Sequence, residues 1–327
     1  MTAPLLSVRD LVVQFPTRRG VLTAIDRVSF DINAGEVLGM VGESGAGKSL
    51  TGAAIIGLLE PPGRIAGGEI RLKGERIDNL APEAMRRIRG KRIGMIFQDP
   101  LTSLNPIYTI ARQLTETIRT HMDVSETDAR ARAIALLDRV GIPAAARRID
   151  DYPHHFSGGM RQRVVIALAL AAEPELVIAD EPTTALDVSV QAQIIDLIKE
   201  ICAERGAAVM LITHDMGVIA ETADRVAVLY AGRLAEIGRA ADVITQAEHP
   251  YTRGLMGSIP TLTQENARLV QIPGAMPRLT AIPAGCAFNP RCAQVFDRCR
   301  TARPDPIDRP GNRKVACWLY DKETAHG

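Results

Sequence analysis

The amino-acid sequence predicts an α/β protein with a parallel sheet that is buried on both faces. Four near-continuous apolar runs, typical of strands covered on both sides, lie at residues 36–41, 92–97, 175–180 and 207–213. Helix-length segments separate most of these runs, which is the alternation that builds a parallel sheet. Three further segments alternate apolar and polar residues and predict a small antiparallel sheet, namely residues 5–15, 21–32 and 67–77.

The composition limits the classes of protein to which the chain can belong. Its 327 residues are 46% hydrophobic, enough for a large core. The 39 Lys and Arg residues nearly balance the 38 Asp and Glu residues, so no bulk positive field attracts nucleic acid. The longest apolar run, residues 164–172, is far shorter than the ~20 residues of a membrane-spanning helix. Because Arg9 and Asp10 interrupt the N-terminal apolar residues, we expect no signal peptide and a cytosolic location.

The middle of the chain predicts helices instead of strands. The strand pattern disappears between about residues 99 and 156. A helix is predicted within this region by apolar residues at helical spacing, namely Ala133, Leu137 and Val140. Ser125 suits the N-cap of this helix and Gly141 suits its end. We therefore expect a helical subdomain inserted at about 99–156.

The last third of the chain changes character. Residues 225–238 alternate around Ala231-Gly232 and predict a hairpin. After about residue 245 the chain becomes rich in Pro and Cys, and its periodicity fades. The expected organisation is a main domain over 1–245 and a C-terminal extension over 246–327.

Residues 42–49, GESGAGKS, match the G-x4-G-K-S/T phosphate-binding loop, and they lie between a predicted strand and a predicted helix. Backbone N–H groups of such a loop surround phosphate oxygens, and the following helix adds about half a positive charge. Lys48 would contact the β- and γ-phosphates, and the Ser49 hydroxyl would bind Mg²⁺. The residues expected to bind nucleotide are Gly42, Ser44, Gly45, Ala46, Gly47, Lys48, Ser49 and Leu50. The simpler alternative is a strand-to-helix turn with a surface lysine.

Three of the predicted buried strands end in polar side chains. Asp180 and Glu181 follow one strand, where Asp180 could hold Mg²⁺ and Glu181 could orient and polarise the attacking water. His214 follows the predicted strand at 207–213 and could approach the γ-phosphate. Gln98 follows the predicted strand at 92–97. Taken singly, the alternatives are a solvated acidic turn before Pro182, a structural histidine and an ordinary polar residue at a strand end.

A second glycine segment occurs at residues 154–163, HHFSGGMRQR. Ser157, Gly158 and Gly159 come directly before a predicted helix that starts near Met160. A helix terminus of this kind binds anions for the same electrostatic reason as the first loop. Without other motifs, a plain helix cap is an equally good interpretation.

Together, these motifs resemble the nucleotide-binding subunit of ABC transporters over residues 5 to about 240. The segments 95–106 and 249–260 and the C-terminal cysteines resemble the ATPase subunits of bacterial dipeptide and oligopeptide importers. The resemblance implies a P-loop NTPase cassette with a RecA-like parallel sheet core. It also implies an antiparallel β subdomain, an inserted helical subdomain and a Cys-rich C-terminal extension.

The resemblance also implies roles for individual residues. In this family, Ser157, Gly158, Gly159 and the residue at Met160 contact ATP held by another subunit, so that two chains enclose two nucleotides. Met160 stands where this signature usually has Gln. Further roles are implied for Asp187 at the seam between the chains, for Gln98 as an additional Mg²⁺ ligand and for Phe15 as the ring that stacks on adenine. A plain core role for Phe15 remains open.

The implied function is ATP hydrolysis that powers the import of peptides, with dipeptides favoured. The expected partners are a second, similar but distinct ATPase subunit, two transmembrane permeases that contact the helical subdomain and the Gln98 loop, and indirectly a solute-binding protein. The expected location is the cytoplasmic face of the inner membrane. An importer for nickel or another small solute, and a soluble ABC ATPase without a transport role, are the alternatives.

Four cysteines lie close together in the extension, namely Cys286, Cys292, Cys299 and Cys317. Disulfides are disfavoured in a reducing cytosol, and the spacing lacks the C-x2-C of common zinc sites. From spacing, an iron–sulfur cluster, a zinc ion and unliganded thiols all remain open. The resemblance implies a 4Fe-4S cluster. We expect the fifth cysteine, Cys202, to be a buried apolar residue.

Overall fold

The structure is a computed structural model that describes residues 3–183, 188–257 and 272–321, with the backbone alone for residues 188–190. The strands in chain order are β1 (Leu6–Thr17), β2 (Gly20–Ile32), β3 (Val37–Val41), β4 (Arg64–Leu72), β5 (Glu75–Arg76), β6 (Ile93–Ile96), β7 (Leu176–Asp180), β8 (Ala208–Ile212), β9 (Arg225–Tyr230), β10 (Arg233–Arg239), β11 (Ile307–Arg309) and β12 (Arg313–Val315).

The helices in chain order are α1 (Lys48–Ile55), α2 (Pro82–Ile88), α3 (Pro100–Ser103), α4 (Ile110–His121), α5 (Glu126–Arg139), α6 (Ala145–Arg148), α7 (Gly158–Leu170), α8 (Val188–Arg205), α9 (Met216–Thr222), α10 (Ala240–Thr245), α11 (Pro250–Gly257) and α12 (Asp297–Thr301). Among the residues that the structure describes, no helix combines the length and apolar character needed to span a membrane.

The chain forms two compact units. The first comprises Met1–Ile32, Leu38–Asp78 and Ile212–Gly327, and the second comprises Asn33–Val37 and Asn79–Leu211.

The first unit contains the predicted antiparallel sheet, with strand order β2-β1-β4-β5. It also contains the neighbouring strands β11, β12, β10, β9 and β3, of which β3 and β9 are parallel. The predicted hairpin is confirmed, because β9 and β10 pair antiparallel around Ala231 and Gly232. Both turn residues have positive φ, 47° and 76°, which matches the right-handed twist of the flanking strands.

The second unit contains neighbouring strands in the order β8, β7 and β6. Strands β6 and β7 are parallel, with Ile96 paired with Ala179. Every residue of β7 and β8 is buried, which explains why their sequences are continuously apolar and do not alternate. The four predicted buried strands are thus confirmed, each slightly shorter than its apolar run.

Residues 99–156 form helices and loops, as predicted. Helix α5 begins after Ser125, whose hydroxyl accepts a hydrogen bond from the Asp128 N–H at 3.1 Å. It ends before Gly141, which has a φ of 78°. Ala133 and Leu137 are buried on one face of α5, and Val140 is buried directly after it. The local signals at both ends therefore predicted the limits of this helix.

The C-terminal extension is joined to the preceding strands. Strand β12 pairs antiparallel with β10, with Glu236 opposite Val315. The described residues 246–257 and 272–321 consequently belong to the same unit as the loop at 42–49. The change in composition after residue 245 does not mark a change of unit.

Candidate nucleotide site

The loop at residues 42–49 connects the end of β3 to the start of α1. A Cβ atom at Gly42 would lie 2.3 Å from the Leu229 carbonyl oxygen, and one at Gly47 would lie 2.5 Å from Ile25 Cδ1. Gly47 also has a φ of 105°, in the region that favours glycine. Close backbone approach at Gly42 and the positive φ at Gly47 therefore require glycine at both positions, independently of any ligand.

The Lys48 side chain lies inside this loop. Its Nζ donates hydrogen bonds to the carbonyl oxygens of Gly42, at 2.8 Å, and Glu43, at 3.2 Å. Lys48 is only 5% exposed, whereas Ser44, Gly45 and Ser49 are exposed. A buried ammonium under an exposed run of backbone amides provides positive potential for a phosphate chain. The surface-lysine alternative is therefore wrong.

The remaining predicted loop residues are accounted for by the same fold. Ala46 is fully buried, while Leu50 on α1 is half-buried. Phe15 on β1 is half-buried, and a Cβ atom at Gly63 would lie 2.7 Å from Phe15 Cε1. The Phe15 ring therefore rests against the backbone at Gly63, and its stacking on adenine stays a prediction.

His214 belongs to the same unit as the loop. It follows β8 and is exposed. The preceding residue, Thr213, donates its backbone N–H to the Met40 carbonyl oxygen on β3 at 3.3 Å. The next residue, Asp215, caps α9 by accepting hydrogen bonds from two backbone N–H groups. These neighbours hold His214 beside the strand that leads into the phosphate loop.

The second unit brings Gln98 and Glu181 together. Because β6 and β7 are parallel, the residues that follow them share one edge of the sheet. Gln98 Nε2 donates a hydrogen bond to Glu181 Oε2 at 3.2 Å. Asp180 is 7% exposed at the last position of β7. Three of the predicted polar residues, Gln98, Asp180 and Glu181, thus lie at this edge.

The segment Ser157–Met160 also belongs to the second unit. Ser157 is the N-cap of α7, and its hydroxyl accepts a hydrogen bond from the Met160 N–H at 3.4 Å. The helix begins at Gly158, two residues before the predicted start at Met160. Ser157 and Gly158 are exposed, Gly159 is half-buried, and a Cβ atom at Gly158 would meet nothing within 4 Å. The helix terminus is thus open to a ligand, and the predicted residue Asp187 lies outside the described residues.

The four C-terminal cysteines line one small cavity of about 20 Å³ with His249 and Trp318. Burial raises the pKa of the Cys317 thiol to about 12, and burial and the neighbouring cysteines also raise the pKa values of Cys286 and Cys292. Within residues 3–183, 188–257 and 272–321, no three His, Cys, Asp or Glu side chains form a group that could hold one metal ion. The predicted metal site is therefore not shown by the structure. Cys202 is buried, as predicted.

Two side chains that the motifs did not indicate contact the phosphate loop. The Tyr251 hydroxyl accepts a hydrogen bond from the Glu43 N–H at 2.8 Å, and Arg291 Nη1 pairs with Glu43 Oε1 at 3.0 Å. More than 200 residues separate each of them from Glu43 along the chain. No local pattern could have related such distant positions.

Comparisons with known proteins agree with these observations. Residues 25–184 match the ABC transporter family, and residues 235–299 match the oligopeptide/dipeptide transporter C-terminal region. The chain is 48% identical over 322 residues to the dipeptide transport ATP-binding protein DppD of Bacillus subtilis (strain 168), covering 98% of this chain and 96% of that protein. It is 48% identical over 314 residues to the oligopeptide transport ATP-binding protein OppD of Salmonella typhimurium, covering 96% and 93%.

Solved structures show the same fold. A dimeric structure of MJ0796, a bacterial ABC transporter cassette, covers 72% of this chain and 98% of its own, with a TM-score of 0.65 and 27% identity. The cassette cbiO1 from Clostridium perfringens covers 75% of this chain and 92% of its own, with a TM-score of 0.64 and 28% identity.

Proposed function

The chain belongs to the ABC transporter family of ATP-binding proteins and, within it, to the oligopeptide and dipeptide transporters. We therefore propose that it hydrolyses ATP to power peptide import. The observation that carries the proposal is the loop at 42–49, which surrounds the buried Lys48 ammonium with backbone carbonyls while leaving its outer residues open. A triphosphate would replace the loop carbonyls as the partner of this charge.

The residues at the strand ends suit the hydrolytic step. Ser49, Asp180 and Gln98 offer the hydroxyl, carboxylate and amide oxygens that Mg²⁺ prefers. When bound, this ion neutralises charge on the phosphates. Glu181 would orient the attacking water and accept its proton, a role supported by the hydrogen bond from Gln98 that holds its carboxylate. His214 would donate a hydrogen bond towards the γ-phosphate.

The open terminus of α7 would bind the ATP of a second cassette. The exposed Ser157 and Gly158 support this assignment, since amides that serve only their own chain need no access from outside. Each nucleotide would then be held by two polypeptides, and hydrolysis would release them from each other. We propose a distinct homologous chain as the partner, with Asp187 at the seam.

The proposed membrane partners are two transmembrane permeases, which receive the solute from a solute-binding protein. The proposed location of the chain is the cytoplasmic face of the inner membrane. Large apolar side chains around the Gln98 loop are exposed, namely Phe97 at 41%, Leu101 at 63% and Ile107 at 71%. Apolar exposure on this scale marks an interaction surface. Its position next to Gln98 supports coupling between the nucleotide site and the permeases.

For the four-cysteine set, a 4Fe-4S cluster remains our proposal. Four thiols line one cavity, yet the described structure offers no site where three of them could share one ion. A 4Fe-4S cluster, in which each iron takes one thiolate, would use all four of these thiols.

The proposed activity is tested by ATP hydrolysis and peptide uptake in vesicles that contain the complete importer. We expect Lys48→Ala to abolish both, because the phosphates lose their main cation. Lys314→Ala, which removes a half-exposed lysine from β12, is the matched control and should leave both unchanged. Wild-type rates of ATP hydrolysis and peptide uptake with Lys48→Ala would refute the assignment of the loop at 42–49 as the nucleotide site.

The proposed cluster is tested by the iron content of protein purified without oxygen. Iron and acid-labile sulfide should be present in equal amounts and should be lost in Cys299→Ser. The matched variant Cys202→Ser should retain them, because Cys202 lies apart on α8. Wild-type protein without iron would exclude the cluster.

A further inference from the structure

Glu43, the second residue of the phosphate loop, is held by two side chains of the C-terminal extension. Its backbone N–H donates a hydrogen bond to the Tyr251 hydroxyl at 2.8 Å. Its carboxylate accepts hydrogen bonds from Arg291 Nη1 at 3.0 Å and 3.1 Å. All three residues belong to the first unit. The extension thus holds both the backbone and the side chain of this loop residue.

Both contacts are partly shielded from water, although the Glu43 side chain itself is 28% exposed. Tyr251 is fully buried, and the side chain of Arg291 is 7% exposed. Arg291 is fixed in place, because its Nε donates to the Pro273 carbonyl oxygen at 2.8 Å and its Nη1 lies 3.3 Å from the Tyr230 hydroxyl. A guanidinium held in this way acts as a rigid anchor, unlike a surface ion pair.

The anchored residue also holds the phosphate-binding lysine. Lys48 Nζ donates to the carbonyl oxygens of Gly42 and Glu43. A shift of Glu43 would therefore move a ligand of the ammonium. Direct contacts therefore connect Tyr251 and Arg291 of the extension to Glu43, and Glu43 to Lys48.

The same anchors are attached to the cysteine set. Residues 286–292, which we call the cysteine loop, have Cys286 and Cys292 at their ends and carry Arg291. Phe288 in this loop packs against Tyr251, with ring centroids 5.5 Å apart. Any change in the geometry of the two thiols would therefore displace side chains that hold Glu43.

We propose that Tyr251 and Arg291 are positioning residues that keep the phosphate loop in its nucleotide-binding conformation, so that the cysteine loop sets nucleotide affinity. This inference rests on the proposed function, since it concerns the same loop. A loop that spends only part of its time in the binding conformation has a dissociation constant raised in proportion.

The decisive experiment measures MgADP binding to the full-length chain by titration calorimetry. Tyr251→Phe keeps the buried ring and removes only the hydroxyl that accepts the Glu43 N–H. We expect the dissociation constant to rise about threefold to tenfold, the factor that corresponds to one hydrogen bond. The number of binding sites should stay unchanged, whereas partial unfolding would lower that number and leave the constant unaltered.

Tyr320→Phe is the matched control. This tyrosine also lies in the extension, where its hydroxyl accepts from Arg253 Nη2 at 2.7 Å and donates to the Glu248 carbonyl oxygen at 3.0 Å. We expect wild-type affinity for this variant. Equal dissociation constants for Tyr251→Phe and Tyr320→Phe would overturn the inference.

A second pair of variants keeps the inference testable if Tyr251→Phe does not fold. Arg291→Gln removes the charge that faces Glu43, while Arg309→Gln removes a similar pair with Glu248 elsewhere in the extension. We expect a higher KM for ATP with unchanged kcat for the first variant only. A fall in kcat without a change in KM would refute a positioning role.

The link to the cysteines is tested by Cys292→Ser. We expect this variant to weaken MgADP binding in the wild-type background and to add little to Arg291→Gln, since both act through the same contact. The link between the cysteine loop and Glu43 would be overturned if Cys292→Ser left MgADP affinity unchanged, or if its effect added fully to that of Arg291→Gln. Wild-type protein that binds no nucleotide would instead contradict the proposed function, so the two failures are distinguishable.

Discussion

Glu181 has a left-handed backbone conformation, with a φ of 44°, at the point where the chain leaves β7. For a residue with a side chain this conformation costs about 1 kcal/mol or more, and it persists where the surroundings demand it. Here, the strained turn places the carboxylate within reach of Gln98. The left-handed turn therefore accounts for the position of the Glu181 carboxylate beside Gln98.

We predict that Glu181→Gln lowers kcat for ATP hydrolysis by about 100-fold to 10,000-fold, because the amide cannot accept the proton of the attacking water. Nucleotide affinity should remain, since the phosphates are bound elsewhere. Glu173→Gln changes another glutamate with positive φ, 57°, and should hydrolyse ATP at the wild-type rate. Equal rates for the two variants, measured by phosphate release, would contradict the assignment.

His249 is a buried neutral group, and its Nδ1 accepts a hydrogen bond from the Tyr251 N–H at 3.0 Å. Burial, with a smaller contribution from Arg253, lowers the pKa of His249 from 6.5 to about 4. In the unfolded chain, His249 therefore binds a proton below pH 6.5, whereas in the folded chain it binds this proton only below about pH 4. Acid thus favours the unfolded chain over this interval.

We predict that the free energy of unfolding contains a contribution from His249 that is complete above pH 6.5 and decreases as the pH falls to about 4. The loss amounts to about 3 kcal/mol. Denaturant titrations of the wild type and of His249→Asn, which keeps an acceptor oxygen near Nδ1, should differ in pH dependence over this interval. Parallel curves would show that His249 is not buried in its neutral form.

At the scale of single elements, α5 and α7 begin in the same way. Ser125 and Ser157 each accept a hydrogen bond from the backbone N–H three residues later. Both caps should stabilise their helices by a similar amount, because each hydroxyl accepts one backbone N–H, although the Ser125 hydroxyl also donates to the Asp128 carboxylate at 2.7 Å. Of these two caps, only the cap of α7 is followed by two glycines, of which Gly158 is exposed and Gly159 is half-buried.

We predict that Ser125→Ala and Ser157→Ala each lower the free energy of unfolding by about 1 kcal/mol. In the assembled transporter, only Ser157→Ala should also reduce ATP hydrolysis, because its hydroxyl and the adjacent amides would face the partner's nucleotide. If both variants lowered hydrolysis equally, the loss would reflect stability alone.

Strands β10 and β12 are joined by a buried ion pair. Arg313 Nη2 lies 2.7 Å from Glu236 Oε1, and Glu236 is fully buried. The same carboxylate accepts hydrogen bonds from the backbone N–H groups of Glu248 and His249, just before α11. The Glu236 side chain therefore connects the extension to β10 and orients the start of α11, the helix that carries Tyr251.

We predict that Arg313→Met lowers the free energy of unfolding by about 3 to 5 kcal/mol, because it leaves the Glu236 charge buried and unpaired. Arg309→Met breaks the pair with Glu248, whose side chains are 28% and 16% exposed, and should cost about 1 kcal/mol or less. Similar losses in thermal or denaturant unfolding would mean that burial does not distinguish the two pairs.

At the scale of the whole molecule, the residues with proposed roles are divided between the two units. The phosphate loop and His214 belong to the first unit, while Gln98, Asp180, Glu181 and the α7 terminus belong to the second.

We predict that Glu181→Gln, combined with the permeases, the second cassette and ATP, traps a closed assembly. Its experimental structure should show the Gly158 amide within hydrogen-bond distance of a triphosphate bound to the other cassette. The same assembly with ADP should be open, because the γ-phosphate is missing. A Gly158 far from any triphosphate in the closed state would refute the shared site.

The local sequence determined the secondary structure and the type of phosphate site. The four apolar runs, the Ala231-Gly232 turn, the ends of α5 and the loop at 42–49 all follow from patterns within a few residues, where periodicity and backbone sterics act directly. Helix α7 starts two residues earlier than predicted, because the Ser157 cap brings both glycines into the first turn. The single strand predicted at 67–77 is instead divided into β4 and β5.

Tertiary structure alone decided which distant residues meet. The contacts of Tyr251 and Arg291 with Glu43 join positions with no common local pattern. The motifs already grouped Gln98 with Glu181 and the four cysteines with one another, while packing decided the contacts that they make. Such contacts arise when the sheets assemble and bury their faces, and burial depends on the whole chain. The sequence therefore specified the chemical groups, and packing specified their partners.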